Sequence, residues 1–340
     1  MSKFPRPKKV VLTNNKGGVG KTTLAFHVGV EMARKGYKVA LVDLDPQSNL
    51  TLQTLGYTFY DNTLFDAEKN TIYDILRPKI EGSGDLDMSV RPQKIRGNLY
   101  IVPGDVRLTL FENLLLSGYN EAAAGTPRGY SDTSAIDRYL TQIGAEEEFD
   151  AFIIDTSPSL GVLNRIIFLG AEYFVVPVTP DSYSLQGVNN LGSVFDDWKR
   201  SWKNTAKASA VAGGTPANQV LPGDALFIGY IINAFNVYRE RTLNRQGDWV
   251  NKIPSAIKES LSEKHGRNGL VEQSWKVPLG KFQDMGQLTA ISMENNLGIQ
   301  EFEIGKIKEL NLTGTKELQE TAVEAITEMV EHTIKILEKY

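Results

Sequence analysis

The chain has 340 residues, a formal net charge of −4 and 41% hydrophobic residues, which is the composition of an ordinary globular protein. It contains no cysteine, which excludes disulfides, thiolate metal sites and cysteine-held iron–sulfur clusters. No apolar run is long enough to span a bilayer, the basic start "MSKFPRPKK" lacks the apolar stretch of a secretory signal, and the mildly acidic balance confines any nucleic-acid binding to a local patch. The expected compartment is the cytoplasm.

In chain order, "KVVLTN" (9–14) reads as a buried strand and "TTLAFHVGVEMARKG" (22–36) as the helix after it, with Gly36 as its stop. "YKVALVDLD" (37–45), "NLYIVPG" (98–104), "FDAFIIDTS" (149–157), "AEYFVVPVTP" (171–180) and "DALFIGYIINAF" (224–235) are further strands. Near-continuous Val, Ile and Leu runs mean strands covered on both faces, and helices between them mean right-handed βαβ crossovers. The expected fold is α/β: a doubly wound, mostly parallel sheet flanked by helices, forming a single domain over 1–340. Residues 57–97 are polar and broken by Gly and Pro, and 117–135 and 204–223 read as loops. All three are taken as insertions on the sheet. The segment 315–340 has helical spacing, with Leu318, Ala322, Ala325, Ile326, Met329, Thr333, Ile336 and Leu337 on one face.

The chemistry concentrates in "TNNKGGVGKTTLAF" (13–26). A phosphate-binding loop reads G-x-x-x-x-G-K-[ST] between a strand and a helix. Gly20, Lys21 and Thr22 fit its end, but the first glycine is replaced by Asn15, and a second lysine, Lys16, follows. Gly17, Gly18 and Gly20 let successive amides, Val19 and Thr23 among them, approach phosphate oxygens. Lys21 suits the β- and γ-phosphates and Thr22 suits Mg²⁺. Asp43 and Asp45 end one strand and Asp155 ends another, at the carboxyl ends where α/β sheets bind ligands.

"NNKGGVGKTT", "LVDLDPQSNLT", "DAFIIDTSPSLG" and "VVPVTPDSYSLQGV" together resemble the ParA/MinD family of deviant Walker-A ATPases, closest to ParA/Soj-type partition ATPases. The resemblance is dense over 9–56 and 149–195 and weaker over 226–290. It implies an ATP- and Mg²⁺-dependent ATPase that sandwiches ATP in a homodimer. Lys16 matches the signature lysine that reaches the partner's phosphates. Lys21 and Thr22 match the loop lysine and the Mg²⁺ hydroxyl. Asp45 matches the aspartate that orients the hydrolytic water, Asp43 supports Mg²⁺, and Asp155 matches Walker B. Asn233 matches the adenine-recognising Asn, and Val277 and Pro278 match the loop over the base.

A second lysine makes physical sense in this setting. Two nucleotides facing each other repel, and a lysine inserted from each subunit offsets that charge. Hydrolysis then removes the contact, which implies a slow ATPase acting as a timer.

Two outputs follow from the resemblance. A membrane-binding helix should be rich in Lys and Arg. The C-terminal segment instead carries Glu317, Glu320, Glu324, Glu328, Glu331 and Glu338, so no membrane partner is expected. For nonspecific DNA of the nucleoid, the candidates are Lys199, Arg200 and Lys203 in "DWKRSWKNTAK" and Arg239, Arg241 and Arg245 in "NVYRERTLNRQG". With the first strand beginning near residue 9, site-specific operator binding through an N-terminal helix-turn-helix domain is not expected. The remaining expected partner is a ParB-like centromere-binding or cargo-adaptor protein that stimulates hydrolysis. A related ATPase positioning a non-DNA cargo would keep the same site. A metal-delivery ATPase is disfavoured by the lack of cysteine, and amidotransfer-coupled synthesis shows no second nucleophile.

Overall fold

The computed structural model describes residues 2–65, 70–235, 240–266, 276–283, 285–301 and 315–339. The strands are β1 (Lys8–Leu12), β2 (Val39–Leu44), β3 (Gln93–Arg96), β4 (Leu99–Val102), β5 (Ala151–Thr156), β6 (Tyr173–Val178), β7 (Leu226–Phe235) and β8 (Gly280–Gln283). The helices are α1 (Lys21–Arg34), α2 (Asn49–Phe65), α3 (Ile72–Ile80), α4 (Leu108–Ala123), α5 (Pro127–Thr133), α6 (Ala135–Glu146), α7 (Val162–Gly170), α8 (Ser182–Ala212), α9 (Glu240–Ile257), α10 (Glu263–His265), α11 (Gln287–Asn295) and α12 (Thr315–Lys339).

The strands form one sheet in the order β3-β4-β2-β5-β1-β6-β7-β8. Every pairing is parallel except β3 with β4. Alternation along the strands assigns side chains to two separate cores. Val10, Leu12, Val39, Leu41 and Ile153 join α1 and α12 on one face. Val11, Ala40, Val42, Phe152 and Ile154 join α3 to α8 on the other. This two-sided burial is why the central strands read as continuous apolar runs. The acidic C-terminal helix packs on its own domain, burying Ala322, Ile326, Met329, Val330 and Leu337. No helix among the described residues is long and apolar enough to cross a membrane.

Two of the expected loops are largely helical. Residues 117–135 hold the end of α4 and all of α5, and 204–223 begins with the last turns of α8 and continues through a short 3₁₀ turn, Ala217–Gln219. They contribute few apolar side chains, but those few are large. Tyr119 and Tyr130 pack against Trp202 in the core, and the Tyr130 hydroxyl donates to the Thr205 carbonyl at 2.6 Å. Within 57–97, α3 carries a capping box between Thr71 and Asp74 and buries Ile72, Ile75 and Leu76.

Candidate nucleotide site

The glycine loop joins β1, at the centre of the sheet, to α1. Gly18 and Gly20 have φ of 73° and 85°, so the left-handed turns need glycine there. Gly20 has a further constraint. A side chain on it would run into the Asn233 amide, whose Nδ2 donates to the Val19 carbonyl at 3.0 Å. Asn233, near the carboxyl end of β7, therefore lies against the loop itself.

Parallel pairing puts Asp43 of β2 directly beside Asp155 of β5. Both are fully buried, and Asp45 is nearly so. Asp43 Oδ2 accepts from the Thr51 amide at 2.8 Å and hydroxyl at 2.6 Å. Burial raises the Asp43 pKa to about 6, although the Thr51 bonds pull it down. Asp155 Oδ2 accepts from the Thr22 hydroxyl at 2.7 Å, and its Oδ1 is buried with no partner. Burial first, and Asp43 second, raise Asp155 to about 8, against the pull of Thr22 and Lys21. Burial also lowers the Lys21 pKa, with Asp155 and Asp45 opposing it. Its ammonium donates to the Lys16 carbonyl at 3.3 Å.

Two adjacent buried carboxylates, one with an orphan oxygen beside a threonine hydroxyl, suit a divalent cation. No three His, Asp or Glu side chains among the described residues converge enough to hold a metal alone. A cation here would share its coordination with a phosphate and with Thr22, and the residues fit that arrangement.

A cleft of about 540 Å³ opens over the loop. Gly17, Gly18, Gly20, Lys21, Thr22, Thr23, Asp45 and Asn233 line it. Val277 and Pro278 do not. They precede β8, which runs parallel to β7 with Ile231 opposite Gly280, so they lie towards the other end of the strand from Asn233. This corrects their placement. The wall after β8 is made by Met285, Thr289 and Met293, and the facing wall by Gln47, Asn49 and Gln53. The signal for four of these was spacing: 289 and 293 of α11, like 49 and 53 of α2, are four residues apart, on one helical face.

Lys16 turns towards its own subunit. Its ammonium donates to Thr179 Oγ1 at 2.7 Å, Asp181 Oδ2 at 2.5 Å and Ser184 Oγ at 3.3 Å. Asp181 also caps α8, accepting from the Ser184 amide at 2.9 Å. Burial pushes the Asp181 carboxyl up, but the bonds from Lys16, Thr179 and Ser184 outweigh it and hold the pKa below the usual value. Asp181 was missed from the sequence, although "TPDSYS" carries a helix-capping pattern.

The basic cluster divides. Lys199 is turned inward: its ammonium donates to the Ala225 carbonyl and lies 5.6 Å from the Phe168 ring. Burial lowers its pKa to about 8, so Lys199 is corrected from a DNA contact to a half-buried structural lysine. Arg200 is exposed but pairs with Asp196 and Asp197 on its own helix. Lys203 is exposed. Arg239, and the side chains of Arg241 and Arg245, lie outside the described residues.

The AAA domain family matches residues 7–207. The chain is 32% identical over 206 residues to the virulence plasmid ParA family protein pGP5-D of Chlamydia psittaci, covering 56% of this chain and 70% of that one. It is 30% identical over 184 residues to the sporulation initiation inhibitor protein Soj of Bacillus subtilis, covering 54% of this chain but 63% of the relative. The crystal structure of protein DIP2308 from Corynebacterium diphtheriae shares the fold across 97% of this chain and 98% of its own, with a TM-score of 0.69 at 23% identity. With the two-lysine glycine loop, the paired strand-end aspartates and the parallel sheet in place, the chain belongs to the ParA/MinD-type P-loop ATPase family.

Proposed function

We propose that this chain binds ATP with Mg²⁺, dimerises with ATP between the subunits, and in that state holds nonspecific DNA of the nucleoid. Slow hydrolysis, stimulated by a ParB-like or cargo-adaptor partner, would release it during DNA partition. The observation that carries the reading is the buried Asp43–Asp155 pair with its orphan oxygen, set beside Thr22 and Lys21 under an open cleft. The whole of 1–340 acts as one domain in this reading.

The chain's own groups divide the work. Loop amides from Gly17 to Thr23 and the α1 N-terminus hold phosphate oxygens. Lys21 offsets charge where it develops on the β- and γ-phosphates. Thr22, Asp43 and Asp155 would hold Mg²⁺, which would supply positive charge to offset that of the phosphates. Asp45 orients the attacking water. Lys16 exchanges its Asp181 contact for the partner's phosphates, which makes the dimer depend on nucleotide. Lys203, with Arg200, Arg239, Arg241 and Arg245, supplies the phosphate-reading surface for DNA.

Asp45→Ala should trap the ATP-bound dimer, and this form should retain DNA in low salt and lose it steeply as salt rises. Light scattering and a filter-retention titration measure both. A trapped dimer with no DNA retention in low salt removes the partition reading, and ordinary ATP turnover in Asp45→Ala removes the assignment of the water-orienting group.

A further inference from the structure

A second cavity, of about 580 Å³, opens at the amino ends of the strands, away from the glycine loop. Its walls come from the chain before β1, from the segment around Asp85 to Met88, from α6, and from the turn after α8. The volume falls in the range of small-molecule sites.

Most charges around it are answered. Lys9 is held by Asp137 and by the Thr141 hydroxyl at 3.2 Å. Arg138 grips Asp85 through two bonds, at 2.6 and 2.8 Å. Glu172 differs. Its side chain is 14% exposed, and its Oε2 is buried with no hydrogen-bond partner. Its other oxygen lies 3.5 Å from Arg6 Nε, whose side chain is 70% exposed and holds it only loosely. The backbone on either side is fixed: the Glu172 amide donates to the Lys9 carbonyl at 3.1 Å, and its carbonyl accepts from the Leu226 amide at 2.8 Å. Burial, the largest influence, holds the carboxyl above its usual pKa, and Arg6, Lys9 and Lys8 offset this only in part.

A mostly buried carboxylate whose one ion pair is loose gains from a closer donor on its reachable oxygen. A turn about the last side-chain bond only exchanges two equivalent oxygens and leaves one of them buried, so a group in the cavity meets the carboxylate at the position that Arg6 holds loosely. A bare metal ion is a poor match, because no three acidic or histidine side chains among the described residues gather to hold one. An N–H donor carrying positive charge is the better match. Leu86, Met88 and Val220 pack at the edge of the core and line the same cavity, offering an apolar track for a hydrocarbon stem. We propose that this cavity binds an aliphatic amine or guanidine, its cationic head on Glu172 and its stem along Leu86, Met88 and Val220. The group arrives either on a free small molecule or as a Lys or Arg side chain of a partner peptide.

Isothermal titration of the full chain with agmatine, and separately with acetylated, amidated Ala-Arg-Ala, tests this. Saturable binding of one molecule per chain is expected. Agmatine binding without peptide binding assigns the site to a free amine, and peptide binding of equal or greater strength assigns it to a partner side chain. Glu172→Gln keeps the shape and removes the charge, and should weaken binding about tenfold or more. Asn218→Trp, which narrows the exposed rim, should block entry while ATP binding confirms that the variant is folded. Absence of saturable binding by both probes in low salt, or unchanged affinity in Glu172→Gln, overturns the proposal.

Discussion

The two edges of the sheet treat charge in opposite ways. At the carboxyl edge, Asp43 and Asp155 are buried side by side with hydroxyls, amides, one lysine and a third carboxylate, Asp45, near them, and both are pushed well above the ordinary carboxylate range. At the amino edge, Lys9 meets Asp137, and Arg138 meets Asp85, each in direct contact. One edge is held in a state that a cationic ligand would complete; the other is largely complete in itself. Such a contrast is expected when one end of a fold is kept for chemistry and the other for stability.

The largest test of this contrast is Lys9→Met. Lys9 and Asp137 are 9% and 15% exposed, so removing the lysine strands a mostly buried carboxylate. The expected loss is about 3 kcal/mol or more in urea unfolding, with ATP affinity unchanged. An unaltered midpoint would mean that the amino edge is not held by its pairs. Asp155→Asn should act in the other direction: without nucleotide, unfolding near neutral pH becomes about 1–3 kcal/mol harder, because folding no longer has to protonate or bury a carboxylate whose pKa is raised. Mg²⁺-dependent ATP binding should weaken in the same variant. If stability falls instead, the contrast between the edges fails.

A smaller effect is expected at Lys16. Asp181→Asn keeps the cap on α8 but breaks the ion pair. Both side chains are partly exposed, at 29% and 37%, so the pair is weak. ATP-dependent dimerisation should tighten by up to about fivefold in light scattering. Equal or weaker dimerisation would mean that the contact does not restrain Lys16. The smallest effect is an acid one. Arg138, above all, holds Asp85 down to about 2. A depressed carboxyl stabilises the fold above its unfolded pKa, near 4, and that share is lost as pH falls through about 2. Arg138→Gln should therefore flatten the fall in urea midpoint across this window.

Much of this was legible in the sequence because two-sided burial leaves long Val and Ile runs, and because the glycine loop needs a strand before it and a helix after. β3 and β8 left no such trace, being four residues each at the two edges of the sheet. α5 was hidden because it is seven residues long and packs mainly through Tyr130, and the end of α4 because the buried face that starts at Leu108, Phe111 and Leu115 leaves only Tyr119 and Ala122 as apolar side chains past residue 117. Lys199 misled because a charge run is read residue by residue, whereas a long stem can carry an ammonium back to a strand carbonyl. Val277 and Pro278 misled for a different reason. The pair was matched by its resemblance to the family's loop over the base, while the position of β8, which starts at Gly280, decides which end of the sheet a loop occupies.

α8 joins the two edges mechanically. It begins at the aspartate that holds Lys16 and runs for 31 residues, about 46 Å, whereas a six-residue strand of the sheet spans only about 20 Å. After its far end the chain turns back through Val220 and Pro222, which line the second cavity. A rod of that length magnifies angle: a tilt of roughly 5° set at Asp181 moves the far end by about 4 Å. One continuous helix thus runs from the contact that holds Lys16 to the turn that borders the second cavity.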